Sequence, residues 1–151
     1  SFSSIPSLEA IVLGDDVTNI KAHIFENLTN LKYVTIPETV LRIGSYAFAG
    51  CTSLESVEIP DSVINIGFRA FYNTGYYNDN ENWENGVLYM NNHLIEATSS
   101  VPETYEIKAG TKTISSQAFY ECNRLSSVAI PDTVVSIGSF VFENTPLYNN
   151  V

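Results

Sequence analysis

The stretch that decides the fold is Leu31-Lys-Tyr-Val-Thr-Ile-Pro37. It recurs one 23-residue period later as Leu54-Glu-Ser-Val-Glu-Ile-Pro60, and once more as Leu125-Ser-Ser-Val-Ala-Ile-Pro131. The segment from Leu8 to Leu13 fills the same frame one period before Leu31, without the proline. A fixed period of this length is typical of solenoid proteins, in which each repeat forms one structural unit.

The second half of the unit repeats as well. After the proline, a valine, an isoleucine, a glycine, an alanine and a phenylalanine follow at fixed spacing, as in Val40, Ile43, Gly44, Ala47 and Phe48. Two further copies of this frame are Val63, Ile66, Gly67, Ala70 and Phe71, and Val134, Ile137, Gly138, Val141 and Phe142. A weaker copy begins at Thr104 and reaches Ile114, Ala118 and Phe119.

Alternation of apolar and polar residues predicts a short strand in each unit. Val34 and Ile36 face the interior and Tyr33 and Thr35 face solvent, because successive side chains of a strand point to opposite sides. Pro37 ends the strand, since it has no N–H. Stacked units then bury their apolar frames against one another, and we expect a short helical turn and a continuous interior column at the phenylalanines, Phe48, Phe71, Phe119 and Phe142.

Residues 76–101 break the period. Between Leu54 and Pro102 the frame advances by one 23-residue unit and then by a further stretch that is longer than a second unit. Within this segment, Val87–Ala97 is typical of a β-hairpin with Asn91-Asn92 at its turn, because asparagine tolerates positive φ. An insertion of this kind is expected to lie on one face of a solenoid. Both chain ends look like interrupted repeats of a longer protein, and Thr145–Asn150 resembles the start of a second insertion.

With these copies the chain resembles the BspA-like leucine-rich repeats, whose unit reads L-x-x-V-x-I-P-x-x-V-x-x-I-G-x-x-A-F-x-x-C/N. The resemblance covers most of the chain outside Tyr76–Val101. The first unit has Gly14 and Lys21 in place of proline and glycine, and the unit that begins at Thr104 lacks both. The resemblance implies an extracellular or cell-surface bacterial protein that adheres to a host or bacterial surface protein or to a glycan.

We therefore predict a strand-rich, right-handed α/β leucine-rich-repeat solenoid with one β-hairpin insertion. The chain is treated as a single solenoid fragment, with repeats at about residues 8–30, 31–53, 54–75, 102–124 and 125–147 and the insertion at 76–101.

The acidic composition argues against two classes of partner. The chain has 17 acidic and 7 basic residues, for a formal net charge of −10. Such a chain repels phosphate groups, so neither nucleic acid nor an anionic membrane is an expected partner. Its apolar runs are shorter than the roughly 18 residues of a membrane helix, so we expect no membrane insertion by this fragment.

Two surfaces are candidates for ligand binding. The outward side of the strands binds protein ligands in leucine-rich repeats generally, and here it carries Tyr33, Thr35, Ser56, Glu58 and Glu106. The second candidate is the insertion, which carries Tyr76, Tyr77, Trp83 and Tyr89. Such rings stack on sugars or anchor protein contacts. The alternative, which we favour, is that they attach the insertion to the flank of the solenoid.

No catalytic, cofactor or metal site is expected. Cys51 and Cys122 occupy the same frame position three turns apart, on the order of 14 Å at about 4.8 Å per strand, so we expect them to be reduced, buried and inert. Both histidines, His23 and His93, are expected on the surface. The acidic residues of the insertion, Asp79, Glu81 and Glu84, do not have the spacing of an EF-hand, and we interpret them as a solvated loop.

The leading hypothesis is thus a non-catalytic extracellular binding or adhesion module that presents its repeat surface to protein or glycan ligands. The alternative is a structural spacer that projects another domain from the cell surface.

Overall fold

The structure, a computed structural model, describes Phe2, Ile5 and residues 7–148. The predicted restart of an insertion at Thr145–Asn150 therefore extends outside the described residues. In chain order the elements are β1 (Ala10–Val12), β2 (Asn19–Ile20), β3 (Tyr33–Thr35), β4 (Arg42–Ile43), β5 (Asn65–Ile66), the helix α1 (Gly75–Asn78), a 3₁₀ helix (Asn80–Asn82), β6 (Trp83–Glu84), β7 (Val87–Met90), β8 (His93–Ala97), β9 (Thr104–Glu106), β10 (Thr113–Ile114), β11 (Ser127–Ala129) and β12 (Ser136–Ile137).

Successive coils pair in parallel with an offset of one 23-residue period. Ala10 pairs with Tyr33, and Thr104 pairs with Ser127, in what we call the first ladder, formed by β1, β3, β9 and β11. The same offset relates β2 to β4, β4 to β5 and β10 to β12, which belong to the second ladder. Together the ladders form the strand-rich solenoid that the period predicts.

Consecutive β-turns, and not the expected helical turn, form the third stretch of each coil. Between residues 44 and 51, N–H groups donate to the carbonyl three residues earlier. Tyr46 and Gly50 have φ values of 57° and 77°, and a positive φ at the third residue is characteristic of a type II turn. Other N–H groups donate to the next coil, as Phe48 does to the Ala70 carbonyl at 2.8 Å. We call this stretch the turn side.

The frame phenylalanines stack inside the protein, in two columns rather than one. The ring centroids of Phe25, Phe48 and Phe71 follow one another at 5.4 Å. Phe119 and Phe142 stack at 5.6 Å in the second column. The buried side chains likewise form two clusters, one on each side of the break in the period.

Residues 83–97, which we call the middle segment, lie between the two clusters and belong to both. β7 pairs with β8 antiparallel, and β8 pairs with β10 in parallel, with His93 opposite Thr113. The first cluster receives Leu88, Met90 and Ile95, and the second receives Val87, Leu94 and Ala97. A strand with a core on each side needs a nearly continuous apolar sequence. This part of residues 76–101 is therefore a layer of the core, and not an addition to one face as expected from the sequence.

The repeated glycine of the frame lets the backbones of neighbouring coils approach closely. A Cβ atom at Gly44, Gly67 or Gly138 would lie closer than 3.0 Å to backbone atoms of the preceding coil. At Gly67 the obstructing atoms include the amide nitrogen of Ser45. Since backbone cannot move aside as a flexible side chain does, only glycine fits these positions without displacing a coil.

We predict that Gly67→Ala destabilises the protein by about 1–3 kcal/mol, because the added methyl group overpacks the contact between coils. The matched control is Gly14→Ala, since nothing lies within 4 Å of a Cβ atom at Gly14. The control should change the free energy of unfolding by less than about 0.5 kcal/mol. Urea denaturation of both variants measures this, and equal stability of the two would contradict the close-approach argument.

Candidate functional site

The first ladder presents the strand residues predicted to bind a ligand. Tyr33 is 69% exposed, and Thr35, Ser56, Glu58 and Glu106 are exposed as well. Thr35 and Glu58 form an isolated parallel bridge, so Tyr33, Thr35 and Glu58 lie on neighbouring coils of the same half. Glu106 lies in β9, in the other half.

The middle segment lies between the two parts of this surface and forms hydrogen bonds with both. The side-chain oxygen of Asn91 accepts from the Ile59 N–H at 2.7 Å, and Asn92 donates to the Asp61 carboxylate at 2.9 Å. The strand surface is therefore not one uninterrupted sheet from the first coil to the last.

The four predicted aromatic residues fall into two pairs, and the first pair attaches the segment to β9. Tyr76 donates its hydroxyl to the Tyr89 carbonyl at 2.7 Å, and the hydroxyls of Tyr89 and Tyr105 are 2.6 Å apart. The Lys108 ammonium lies 4.9 Å from the centre of the Tyr89 ring and 2.7 Å from the Glu84 carboxylate. Burial raises the pKa of Tyr76 and of Tyr105, so both hydroxyls remain protonated.

The second pair, Tyr77 and Trp83, lies toward the turn side. The Trp83 indole N–H donates to the Tyr77 carbonyl at 2.8 Å, and the two rings meet edge to face with centroids 5.1 Å apart. Tyr77 donates its hydroxyl to Oε2 of Glu96 and contacts the ring of Tyr72. Burial raises the pKa of Tyr77 and of Glu96.

Two adjacent cavities open around this second pair. One, of about 460 Å³, is lined by residues that include Phe68, Arg69, Glu96, Gln117, Tyr120 and Asn123. The other, of about 490 Å³, is lined by Asn78, Asn80, Trp83, Gly86 and Ser100. Tyr77 and Thr98 line both cavities, which we together call the turn-side cleft. The cleft includes three residues that the sequence did not predict as site residues, because no period brings together Arg69, Glu96 and Tyr120.

A further cavity, of about 740 Å³, lies at the last described coil. Its lining includes Ile137 and Phe142, which belong to the repeated apolar frame. In earlier coils the next coil covers this frame, as Phe71 covers Phe48. We therefore interpret this cavity as an uncovered part of the core and not as a binding site.

His93 is fully buried, so its expected surface position is wrong. Its Nε2 lies 3.0 Å from the Pro60 carbonyl and its Nδ1 lies 2.7 Å from the Thr113 hydroxyl. A carbonyl only accepts, so Nε2 carries the proton and Nδ1 of the neutral ring accepts from Thr113. Burial lowers the pKa of His93 below its ordinary 6.5. The sequence places His93 beside a turn but gives no sign that β8 passes between two cores. His23, by contrast, is exposed and stacks on Tyr46.

The two cysteines are free and buried, as expected. Burial raises the pKa of Cys51 and of Cys122 to about 11, so neither forms the thiolate that a nucleophile requires. Among residues 7–148, Phe2 and Ile5, no three His, Cys, Asp or Glu side chains group closely enough to hold a metal ion. The described part of the chain also has no helix of the length and apolarity that crossing a membrane requires.

Known proteins share this architecture. A family model described as "BspA type Leucine rich repeat region" matches residues 1–103 and 98–151, with six copies. The chain belongs to the BspA-type leucine-rich-repeat family. The family model thus has one more copy than the five repeats defined from the sequence. The segment that those five repeats leave out contains β8, which joins the second ladder.

Two solved structures show the same kind of coil. A leucine-rich cell surface protein from Faecalibacterium prausnitzii is 31% identical over 97% of this chain and 41% of its own, with a TM-score of 0.50. A leucine-rich repeat protein from Bacteroides ovatus is 20% identical over 95% of this chain and 43% of its own, with a TM-score of 0.51. This BspA-type chain thus spans less than half the length of either. No curated protein matches its sequence.

The burial of His93 predicts a pH-dependent stability. Because its folded pKa lies below that of the unfolded chain, the unfolded state binds more protons, and the free energy of unfolding falls as pH drops below about 6.5. His93→Gln keeps a donor for Pro60 but does not titrate, so we expect a smaller loss of stability between pH 7 and pH 5 than in the unmodified chain.

The matched control is His23→Asn, which removes the exposed histidine and suits its φ of 60°. Urea denaturation of both variants and of the unmodified chain at pH 7, 6 and 5 measures the free energy of unfolding, with His23→Asn as the reference for loss of a histidine outside the core. If His93→Gln retains the full pH dependence of the unmodified chain, His93 is not its source.

Proposed function

We propose that this chain is a non-catalytic binding or adhesion module of an extracellular or cell-surface protein, and that its repeat surface contacts a protein or glycan ligand. The observation that carries the proposal is the exposed side of the first ladder, where large side chains are exposed to solvent on a backbone that is held by parallel strand pairing. The BspA-type repeats and the 31% identity to a protein described as a cell surface protein support it.

The first ladder has the properties of a recognition surface. Val12 is 79% exposed and Tyr33 69% exposed, and they lie on adjacent paired strands. Beside them, the Lys32 ammonium lies 3.2 Å from the Glu9 carboxylate. Parallel pairing already fixes the backbone, so little conformational entropy is lost when a ligand binds. A tyrosine that is both apolar and able to form hydrogen bonds is a frequent anchor in such contacts.

The charge of this surface favours a neutral or basic partner. Glu58 and Glu106 are exposed in its two halves, and the whole chain carries a formal net charge of −10. Complementary charge raises association rates and excludes partners of the same sign. We therefore propose that the protein ligand presents a basic or uncharged patch to the first ladder.

We predict that Tyr33→Ala weakens binding to a protein ligand about tenfold, since hot-spot tyrosines contribute more than about 1 kcal/mol. The control is Val135→Ala, because Val135 is also 69% exposed but lies beside the second ladder. Biolayer interferometry against a panel of purified host matrix proteins and bacterial surface proteins measures the affinities. Absence of binding across the panel, or an equal loss in both variants, would count against the first ladder.

The alternative function is a spacer that projects another domain from the cell surface. The same 23-residue offset in both halves favours it, because such a solenoid changes length in equal steps.

Deletion of residues 31–53 removes one period together with Tyr33 and Thr35. We predict that the shortened chain still folds, as circular dichroism would show, and loses its protein ligand. Unchanged ligand binding, with an attached domain still active, would instead support the spacer.

A further inference from the structure

We propose that the turn-side cleft is a binding site for a neutral saccharide. The inference rests on the proposed function, in which a glycan is one class of ligand, but it places that ligand away from the first ladder. The shape of the cleft, its lining and its charge each favour such a ligand.

The cleft exists because the middle segment interrupts the contacts between coils. Before the interruption, the turn sides are joined by bonds such as that from the Phe48 N–H to the Ala70 carbonyl. After it, the Phe119 N–H donates to the Val141 carbonyl in the same way. Between them, the N–H of Ala97 donates to Ala118, so the end of β8 enters between two coils. The Ser116 N–H still donates to the Ile66 carbonyl at 3.0 Å, but beyond that bond the end of β8 lies between the coils, and a concave site opens beside it.

The size of the cleft suits an extended small ligand. Its two cavities, of about 460 and 490 Å³, each lie within the roughly 300–1,000 Å³ of small-molecule sites. They adjoin at Tyr77 and Thr98. A ligand of at least two connected rings therefore fits better than a single compact group.

The lining combines aromatic rings with uncharged hydrogen-bonding groups. Tyr77 lines both cavities, Tyr120 the first and Trp83 the second, and such rings pack against the apolar C–H face of a sugar. Within the described part of the chain, the side-chain amides of Gln117 and Asn123 form no hydrogen bond. An amide both donates and accepts, which is the combination that a sugar hydroxyl group requires.

Glu96 supplies a carboxylate acceptor that is held in place within the cleft. Tyr77 donates to its Oε2, which orients the carboxylate and leaves Oε1 to accept from a ligand hydroxyl. Hydrogen bonds to a charged acceptor are stronger than those between neutral groups. The partly buried hydrogen bond from Tyr77 distinguishes this carboxylate from the solvated acidic side chains elsewhere on the protein.

The charge of the cleft argues against an anionic ligand, and its polarity against a purely apolar one. Its one guanidinium, Arg69, lies 5.1 Å from the Phe68 ring centre and 4.4 Å from that of Tyr72. The carboxylates of Glu96 and Glu121 outnumber it among the lining residues. An apolar ligand would bury these carboxylates and the two free amides without hydrogen bonds, which is unfavourable.

The test uses Trp83, which is the single tryptophan of the chain and lines the cleft. Maltose, cellobiose, lactose, mannobiose and diacetylchitobiose are titrated separately into the 151-residue chain, and Trp83 fluorescence and saturation-transfer NMR are recorded. We expect at least one disaccharide to bind and to change the fluorescence. Tyr120→Ala should weaken that binding about tenfold. Asn123→Ala, which changes an exposed side chain, should weaken it with no effect on the thermal midpoint.

The control variant is Tyr33→Ala, which alters the first ladder and should leave disaccharide affinity unchanged. If no disaccharide binds at millimolar concentration, the cleft proposal is overturned, while protein binding by the first ladder remains open to its own test. If a disaccharide binds and Tyr33→Ala weakens it while Tyr120→Ala and Asn123→Ala do not, the cleft proposal is overturned and the proposed binding function stands.

Discussion

Burial of the same apolar frame from one coil to the next is the constraint on which the rest of the structure depends. A single 23-residue coil has too little interior to bury its own isoleucines and phenylalanines, so it is stable only against a neighbour. The 5.4 Å stacking of Phe48 on Phe71, together with the Gly67 position that admits no Cβ atom, shows how closely the coils approach. Side chains that face outward are free of this constraint and available for recognition.

The middle segment satisfies the constraint in a different way from the repeats. It places the apolar residues of β7 and β8 against both cores, and β8 continues the second ladder toward β10. Continuity of the interior is preserved, but regular contact on the turn side is lost. The turn-side cleft is the structural consequence. Ser115 occupies the glycine position of its unit. Its N–H donates to Leu94 of β8 and not to a repeat isoleucine, so the replacement of glycine by serine lies where the coil meets the middle segment.

The aromatic residues of residues 76–101 have two different roles. Tyr76 and Tyr89 use their hydroxyl groups to join the segment to the rest of the protein, in agreement with the attachment role favoured from the sequence. Tyr77 and Trp83 also contact each other, and Tyr77 contacts Glu96, yet both rings line open space. The first ladder and the cleft are thus two separate surfaces, one produced by the repeats and the other by their interruption.

The sequence by itself determined the period, the strands that end before Pro37 and Pro131, the outward position of Tyr33 and Thr35 and the burial of the frame and of both cysteines. These features follow from local alternation and regular spacing, which are visible in one dimension. Only the tertiary structure decided the division into two cores, the burial of His93 and the grouping of Glu96 with Arg69 and Tyr120. Those features depend on where residues 83–99 pack between distant coils, and no repeated spacing in the sequence encodes contacts that occur once.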